Sequence, residues 1–242
     1  MKDYKTENIR NICLGAHSGA GKTSLAEALL FNLGVASRIG TIENGNTISD
    51  YNDDEIERQI SISSALLHGE WDNNKINFID TPGYSDFFGE VVGALNATDA
   101  VMVVISAAGG VEVGTEMVWN KAKNLNLPRM IVINKLDREN LNFDNVINSL
   151  QEAFGRKVVL TQFPVNAGPG FNSIVDLIRK KLHCVCDYSV VFSSPSVIGR
   201  RFISGFILGL WCVLFPWFGI YNKFNSCARI IACARLLTSS LR

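Results

Sequence analysis

Three short polar strings, each placed directly after an apolar run, hold the residues whose types and spacing could do chemistry. The first is AHSGAGKTS, residues 16–24. A phosphate chain is bound by backbone N–H groups pointing inward, a helix amino terminus behind them and a cation above. Ala16, His17, Ser18, Gly19, Ala20 and Gly21 supply such a loop, with Gly19 and Gly21 free to curl without a side-chain clash. Lys22 can reach the β- and γ-phosphates, the Thr23 hydroxyl can bind Mg²⁺, and Ser24 heads the helix that follows. Ala16 stands where the pattern G-x-x-x-x-G-K-[ST] begins with glycine. Read alone, the string is also compatible with a glycine-rich turn that happens to carry a lysine.

The second string is DTPG, residues 80–83, after the apolar run KINFID. Asp80 can hold Mg²⁺ through water, since that cation keeps several of its waters, and the Gly83 N–H can approach a γ-phosphate because no side chain blocks it. Asp-Thr-Pro-Gly is also a good turn sequence. The third is NKLD, residues 134–137, after RMIVIN. Guanine presents a ring N–H and an exocyclic amino group side by side, and one carboxylate, that of Asp137, can accept both. Asn134 can tie this loop to the phosphate region, and the aliphatic stem of Lys135 can lie on the base face. The plainer reading of NKLD is a solvated charge cluster. The three occur in the order phosphate, magnesium, base, each at the carboxyl end of an expected strand, where open α/β sheets bind ligands. Together they point to a guanine-nucleotide site that takes GTP or GDP with Mg²⁺.

The elements that must position these loops alternate short apolar runs with helical patterns, the form taken by a parallel sheet covered by helices. NICLG (11–15), KINFID (75–80), DAVMVVISA (99–107) and RMIVIN (129–134) read as strands, and ISISSALL (60–67) as a half-buried one. SLAEALLFNLG (24–34) suits a helix that packs Leu25, Leu29 and Phe31 on a sheet, and EMVWNKAKNL (116–125) a crossover helix. TIENGNTISDYNDDEIERQ (41–59) has no apolar face and reads as a mobile loop.

AHSGAGKTSLAEALLF, EIERQISIS, DTPGYSDFFGEV, GVEVGTEMVW and INKLDREN resemble the amino-terminal GTP-binding domain of translational GTPases of the elongation factor G and elongation factor G-like kind. The likeness runs from about Ile9 to about Lys181, and FPVNAGPGFNSIVDLI (163–178) is similar to the start of the insert that this family carries within its GTPase domain. It implies an α/β P-loop NTPase fold, a mostly parallel sheet flanked by helices. It also implies GTPase activity, a first switch over residues 38–62 and a second over 80–97, both ordered by γ-phosphate and Mg²⁺. Thr23, Ser61 and Asp80 then become the metal residues, with Ser61 in a position usually held by threonine: the pattern Arg-Gly-Ile-Thr-Ile stands here as Arg58-Gln59-Ile60-Ser61-Ile62. Hydrolysis would be a matter of positioning and charge stabilisation, with Lys22 and Tyr84 as candidate catalytic residues. Tyr84 replaces the histidine that usually orients the attacking water, and Gly19 replaces an acidic residue of elongation factor G. The ribosome is the partner that the resemblance implies; the family's later domains are not recognisable in this chain.

The 242 residues carry no net charge, which excludes bulk attraction to nucleic acid, and no direct DNA binding is expected. That balance conceals a break. Residues 1–182 hold 17 Lys/Arg against 22 Asp/Glu, whereas residues 183–242 hold six basic residues and the single acid Asp187. Five of the six cysteines fall in the second part, among them Cys184 and Cys186, with no His or Cys cluster at zinc spacing. The amino terminus MKDYKTENIR lacks the apolar run of a signal peptide, so a cytoplasmic location and reduced thiols are expected. The expected organisation is a GTP-binding domain over 1–182, incomplete at its C-terminal end and leaving apolar sheet surface uncovered, followed by a divergent apolar tail over 183–242. Within the tail, FISGFILGLWCVLFPWFGIY (202–221) is uncharged and long enough for a membrane helix. A buried element and translation in a shifted frame are the other two readings.

Overall fold

The computed structural model describes residues 3–156, 158–186, 189–191 and 211–214. Strand β1 (Ile9–Ala16) leads into helix α1 (Lys22–Asn32), and the short helix α2 (Asp53–Arg58) precedes the hairpin of β2 (Ala65–Trp71) and β3 (Asn74–Asp80). Then α3 (Phe88–Asn96), β4 (Ala100–Ser106), α4 (Val113–Asn124), β5 (Arg129–Asn134) and α5 (Phe143–Phe154) alternate. β1 pairs in parallel with β3 on one side and with β4 on the other, and β4 pairs in parallel with β5. Strands of this kind are covered on both faces, which is why β4 and β5 read as unbroken apolar runs.

The period of two along each strand splits the core. Leu14, Met102, Val104 and Val132 face one side with Leu25, Ala26, Leu29 and Leu30 of α1. Cys13, Val103, Ile105 and Ile131 face the other with Leu95 of α3, Val118 and Trp119 of α4 and Leu150 of α5. Each loop after β1, β3 and β5 therefore emerges at one rim, with the strand beneath it fixed by packing on both faces. In α1 the core residue is Leu30, and Phe31 is only partly buried, because α1 lies against the sheet along Leu25, Leu29 and Leu30.

Two expected elements differ. The strand expected over 60–67 begins only at Ala65 and runs to Trp71, because the backbone of Ile62 and Ser63 is bound by a glutamate side chain instead of a neighbouring strand. Asp72 and Asn73, with φ of 47° and 63°, make the two-residue reversal from β2 into β3. The stretch 41–59 contains α2, capped at its start by Asn52 and Glu55 in a reciprocal pair.

Beyond α5, β6 (Val159–Leu160) joins the main sheet, and β7 (Gln162–Pro164), β8 (Ser173–Asp176), β9 (Lys181–Cys186) and β10 (Ser189–Val191) form a second, antiparallel sheet. β9 spans residue 182, where the composition changes. Of residues 202–221 only 211–214 are described, as strand β11 (Trp211–Leu214); the rest of that stretch lies outside the described residues. β11 pairs antiparallel with β5 and with β6, so among the described residues the main sheet has seven strands in the order β2-β3-β1-β4-β5-β11-β6. β11 pairs along the edge of β5; a strand edge with free N–H and C=O groups is costly, and this pairing satisfies it. Among the described residues no helix is long and apolar enough to cross a membrane.

Candidate functional site

β1 ends at the buried Ala16, and the loop from His17 to Gly21 turns back into α1. Gly21 is left-handed at φ 94°, and a Cβ on it would run into the Asn134 side-chain nitrogen. No side chain caps the start of α1, so its first N–H groups remain available to an anion. Lys22 is buried, and its Nζ lies 3.4 Å from the His17 carbonyl oxygen to which it donates. Burial pushes the Lys22 ammonium below its ordinary pKa, with Asp80 and Asp50 pulling in the opposite direction. His17 lies 3.6 Å from the Glu112 carboxylate and packs against Gly114.

The DTPG loop seats directly on this turn. Thr81 donates to the Leu14 carbonyl at 2.7 Å, which fixes the loop to β1. A Cβ on Gly83 would come within 2.6 Å of Lys22 Nζ and 2.9 Å of the Ser18 nitrogen, so only glycine fits there. The next residue, Tyr84, is 44% exposed.

Thr23, Ser61 and Asp80 come together as expected. The Thr23 hydroxyl donates to Asp80 Oδ2 at 2.9 Å and lies 3.2 Å from Ser61 Oγ. Asp80 Oδ1 is buried without a hydrogen-bond partner, an acceptor of the kind that a hydrated cation satisfies. Burial raises the Asp80 carboxyl to about 6, against the lowering pull of Lys22 and Thr23. Two hydroxyls and one carboxylate beside a phosphate loop suit Mg²⁺, which takes few protein ligands and completes its shell with phosphate and water. The sequence did not single out Asp50, which joins the same cluster: it is buried, its Oδ2 is also unpartnered, and burial raises its pKa while Ser61 lowers it.

The NKLD loop reaches back to the first. Asn134 Nδ2 donates to the Ala20 carbonyl at 3.1 Å, Asn134 Oδ1 accepts from the Lys135 N–H at 2.8 Å, and Lys135 Nζ donates to the Gly19 carbonyl at 2.7 Å. Lys135 is left-handed at φ 61°, and the turn leaves Leu136 fully buried while Asp137 is exposed.

Two further carboxylates hold the segment 38–62, which the resemblance makes a first switch. Glu27 of α1 accepts from the Gly40 N–H at 3.0 Å and the Ile48 N–H at 2.6 Å. Glu55 accepts from the Ile62 and Ser63 N–H groups, each at 2.9 Å. Both are fully buried. A lone acid within the apolar run LAEALLF and the spacing Asn52-x-x-Glu55 are the sequence signals that would have found them.

With the phosphate loop, the buried carboxylate and the NKLD loop joined at one rim, the comparisons decide the family: residues 7–196 match the one described as the elongation factor Tu GTP binding domain. The chain belongs to that family. The elongation factor G of Mycoplasma genitalium is 41% identical over 177 residues, covering 73% of this chain and 26% of the relative. The mitochondrial ribosome-releasing factor 2 of Debaryomyces hansenii is 39% identical over 187 residues, 75% of this chain and 22% of the relative. A solved structure from Thermus thermophilus superposes with a TM-score of 0.73 at 32% identity, covering 78% of this chain and 29% of that one. The chain thus carries the G domain of elongation factor G-like translation factors and spans about a quarter of the length of these relatives.

Proposed function

We propose that this domain binds GTP and GDP with Mg²⁺ and hydrolyses GTP. The observation that carries the reading is the meeting of Thr23, Ser61 and Asp80 within hydrogen-bond reach while Asn134 and Lys135 grip the same phosphate loop. With GTP bound, Thr23 and Ser61 would hold Mg²⁺ through their hydroxyls, and Asp80 and Asp50 through water; with GDP bound, Thr23 and water would hold it without Ser61. The ion, when bound, neutralises charge on the β- and γ-phosphates. Lys22 and the amides of residues 17–24 bind the phosphates, and Asp137 selects guanine. In the reaction a water attacks the γ-phosphorus, the bond to the β–γ bridging oxygen breaks, and GDP and inorganic phosphate result. Tyr84 orients that water by hydrogen bonding through its phenol hydroxyl.

The names of the relatives favour the ribosome as the partner, and the cytoplasm is the place of action that goes with this reading. The test is titration of the whole chain with a fluorescent GDP analogue, with and without Mg²⁺, alongside release of phosphate from GTP. Micromolar or tighter binding that weakens on chelation, and is lost in Lys22→Ala, is expected. A chain that binds no guanine nucleotide would refute the reading.

A further inference from the structure

The structure assigns Glu55 as the residue that positions Ser61 for the metal site in the GTP state; this rests on the guanine-nucleotide reading above. Ser61 sits in a segment without a strand ladder, between α2 and β2, yet its hydroxyl must be held 3.2 Å from Thr23. Glu55 supplies what the ladder does not. One carboxylate oxygen takes the N–H groups of Ile62 and Ser63, the two residues after Ser61, at 2.9 Å each. The other takes the Asn52 side-chain amide at 2.8 Å and the Asn52 N–H at 3.4 Å. The backbone carbonyl of Glu55 accepts from the Ile60 N–H at 3.2 Å, one residue before Ser61. A single residue thus fixes the chain on both sides of the metal-binding hydroxyl and also starts the helix, α2, that carries it.

The consequence is a coupling. α2 has six residues, too few to be stable by themselves, so its formation and the delivery of Ser61 are one event held by one buried carboxylate. GDP makes no demand on Ser61 that requires this arrangement, because the γ-phosphate is what the closed switch gathers. Glu55 therefore contributes to discrimination between triphosphate and diphosphate without touching either.

The test measures affinities of the full chain for GDP and for a non-hydrolysable GTP analogue, as functions of Mg²⁺, in wild type, Glu55→Ala, Ser61→Ala and the double variant. Four hydrogen bonds to the carboxylate, two from Ile62 and Ser63 and two from Asn52, are lost in Glu55→Ala, and an analogue affinity lowered by about tenfold or more is expected, with GDP affinity unchanged. Because Glu55 acts through Ser61, the double variant should be no weaker than Ser61→Ala. Glu55→Gln, whose amide can accept from Ile62 and Ser63 with its oxygen, recovers part of the loss and separates positioning from misfolding. Equal losses for GDP and the analogue, or additive losses in the double variant, overturn the inference while leaving the guanine-nucleotide reading in place. A wild-type chain that binds neither nucleotide overturns both.

Discussion

Asn134 donates its side-chain amide to the Ala20 carbonyl at 3.1 Å, joining loops 114 residues apart. The NKLD loop and the loop over residues 16–24 therefore form one unit, and the left-handed Gly21 is what lets them approach. Gly21→Ala adds a Cβ that strikes the Asn134 amide and places an L-residue in a conformation costing about 1–2 kcal/mol. A lowered thermal midpoint and loss of nucleotide binding are expected; a variant that melts with wild type would show that the two loops are not coupled here.

The buried Asp80 carboxyl, raised from 3.8 to about 6, gives a pH dependence of definite sign. An acid with a higher pKa in the folded than in the unfolded state binds its proton more tightly when folded. Its contribution to stability is present below 3.8 and is lost as pH rises through about 6. Metal- and nucleotide-free wild type should thus lose stability relative to Asp80→Asn between about pH 4 and about pH 7. Urea unfolding across that range checks it, and a constant difference between the two proteins would contradict it.

Gln59 closes α2 in a left-handed conformation at φ 55°, with its N–H bonded to Ile56 and the Ile60 N–H bonded to Glu55. Glycine adopts that geometry without a Cβ penalty. Gln59→Gly should favour the closed first switch by about 0.5–1 kcal/mol, seen as tighter binding of a non-hydrolysable GTP analogue with GDP affinity unchanged. Weaker analogue binding would mean that the Gln59 side chain makes a contribution larger than its backbone strain.

Tyr84 directly follows Gly83, which rests on Lys22 and Ser18, and is 44% exposed. Removing the hydroxyl alone, in Tyr84→Phe, should slow single-turnover GTP hydrolysis by about tenfold or more and leave GTP affinity unchanged. An unaltered rate would assign the orientation of water to another group.

Much of this was legible because the signals were local. The alternation of apolar strands with helices and the three strings at strand ends follow from residue type and spacing, whereas the hydroxyl at position 61 came only through the resemblance to a family pattern. The segment 38–62 was not legible in the same way. ISISSALL alternates like a strand, yet Glu55 captures the backbone of Ile62 and Ser63 and delays the ladder to Ala65. Polar 41–59 lacks an apolar face, and its order comes from two buried glutamates, which hydrophobic periodicity cannot report. Asp50 was missed for a related reason: one acid among several in a polar loop shows its role only once burial leaves an oxygen without a partner. β11 pairs across from residues far back in the chain, a relationship that no short window contains.

The most direct measurement is the base preference of Asp137→Asn. If Asp137 reads the guanine edge from a loop anchored on the phosphate-binding turn, the variant should bind xanthosine diphosphate more tightly than GDP, reversing the order shown by wild type. Retention of wild-type guanine affinity and preference in the variant would contradict the account.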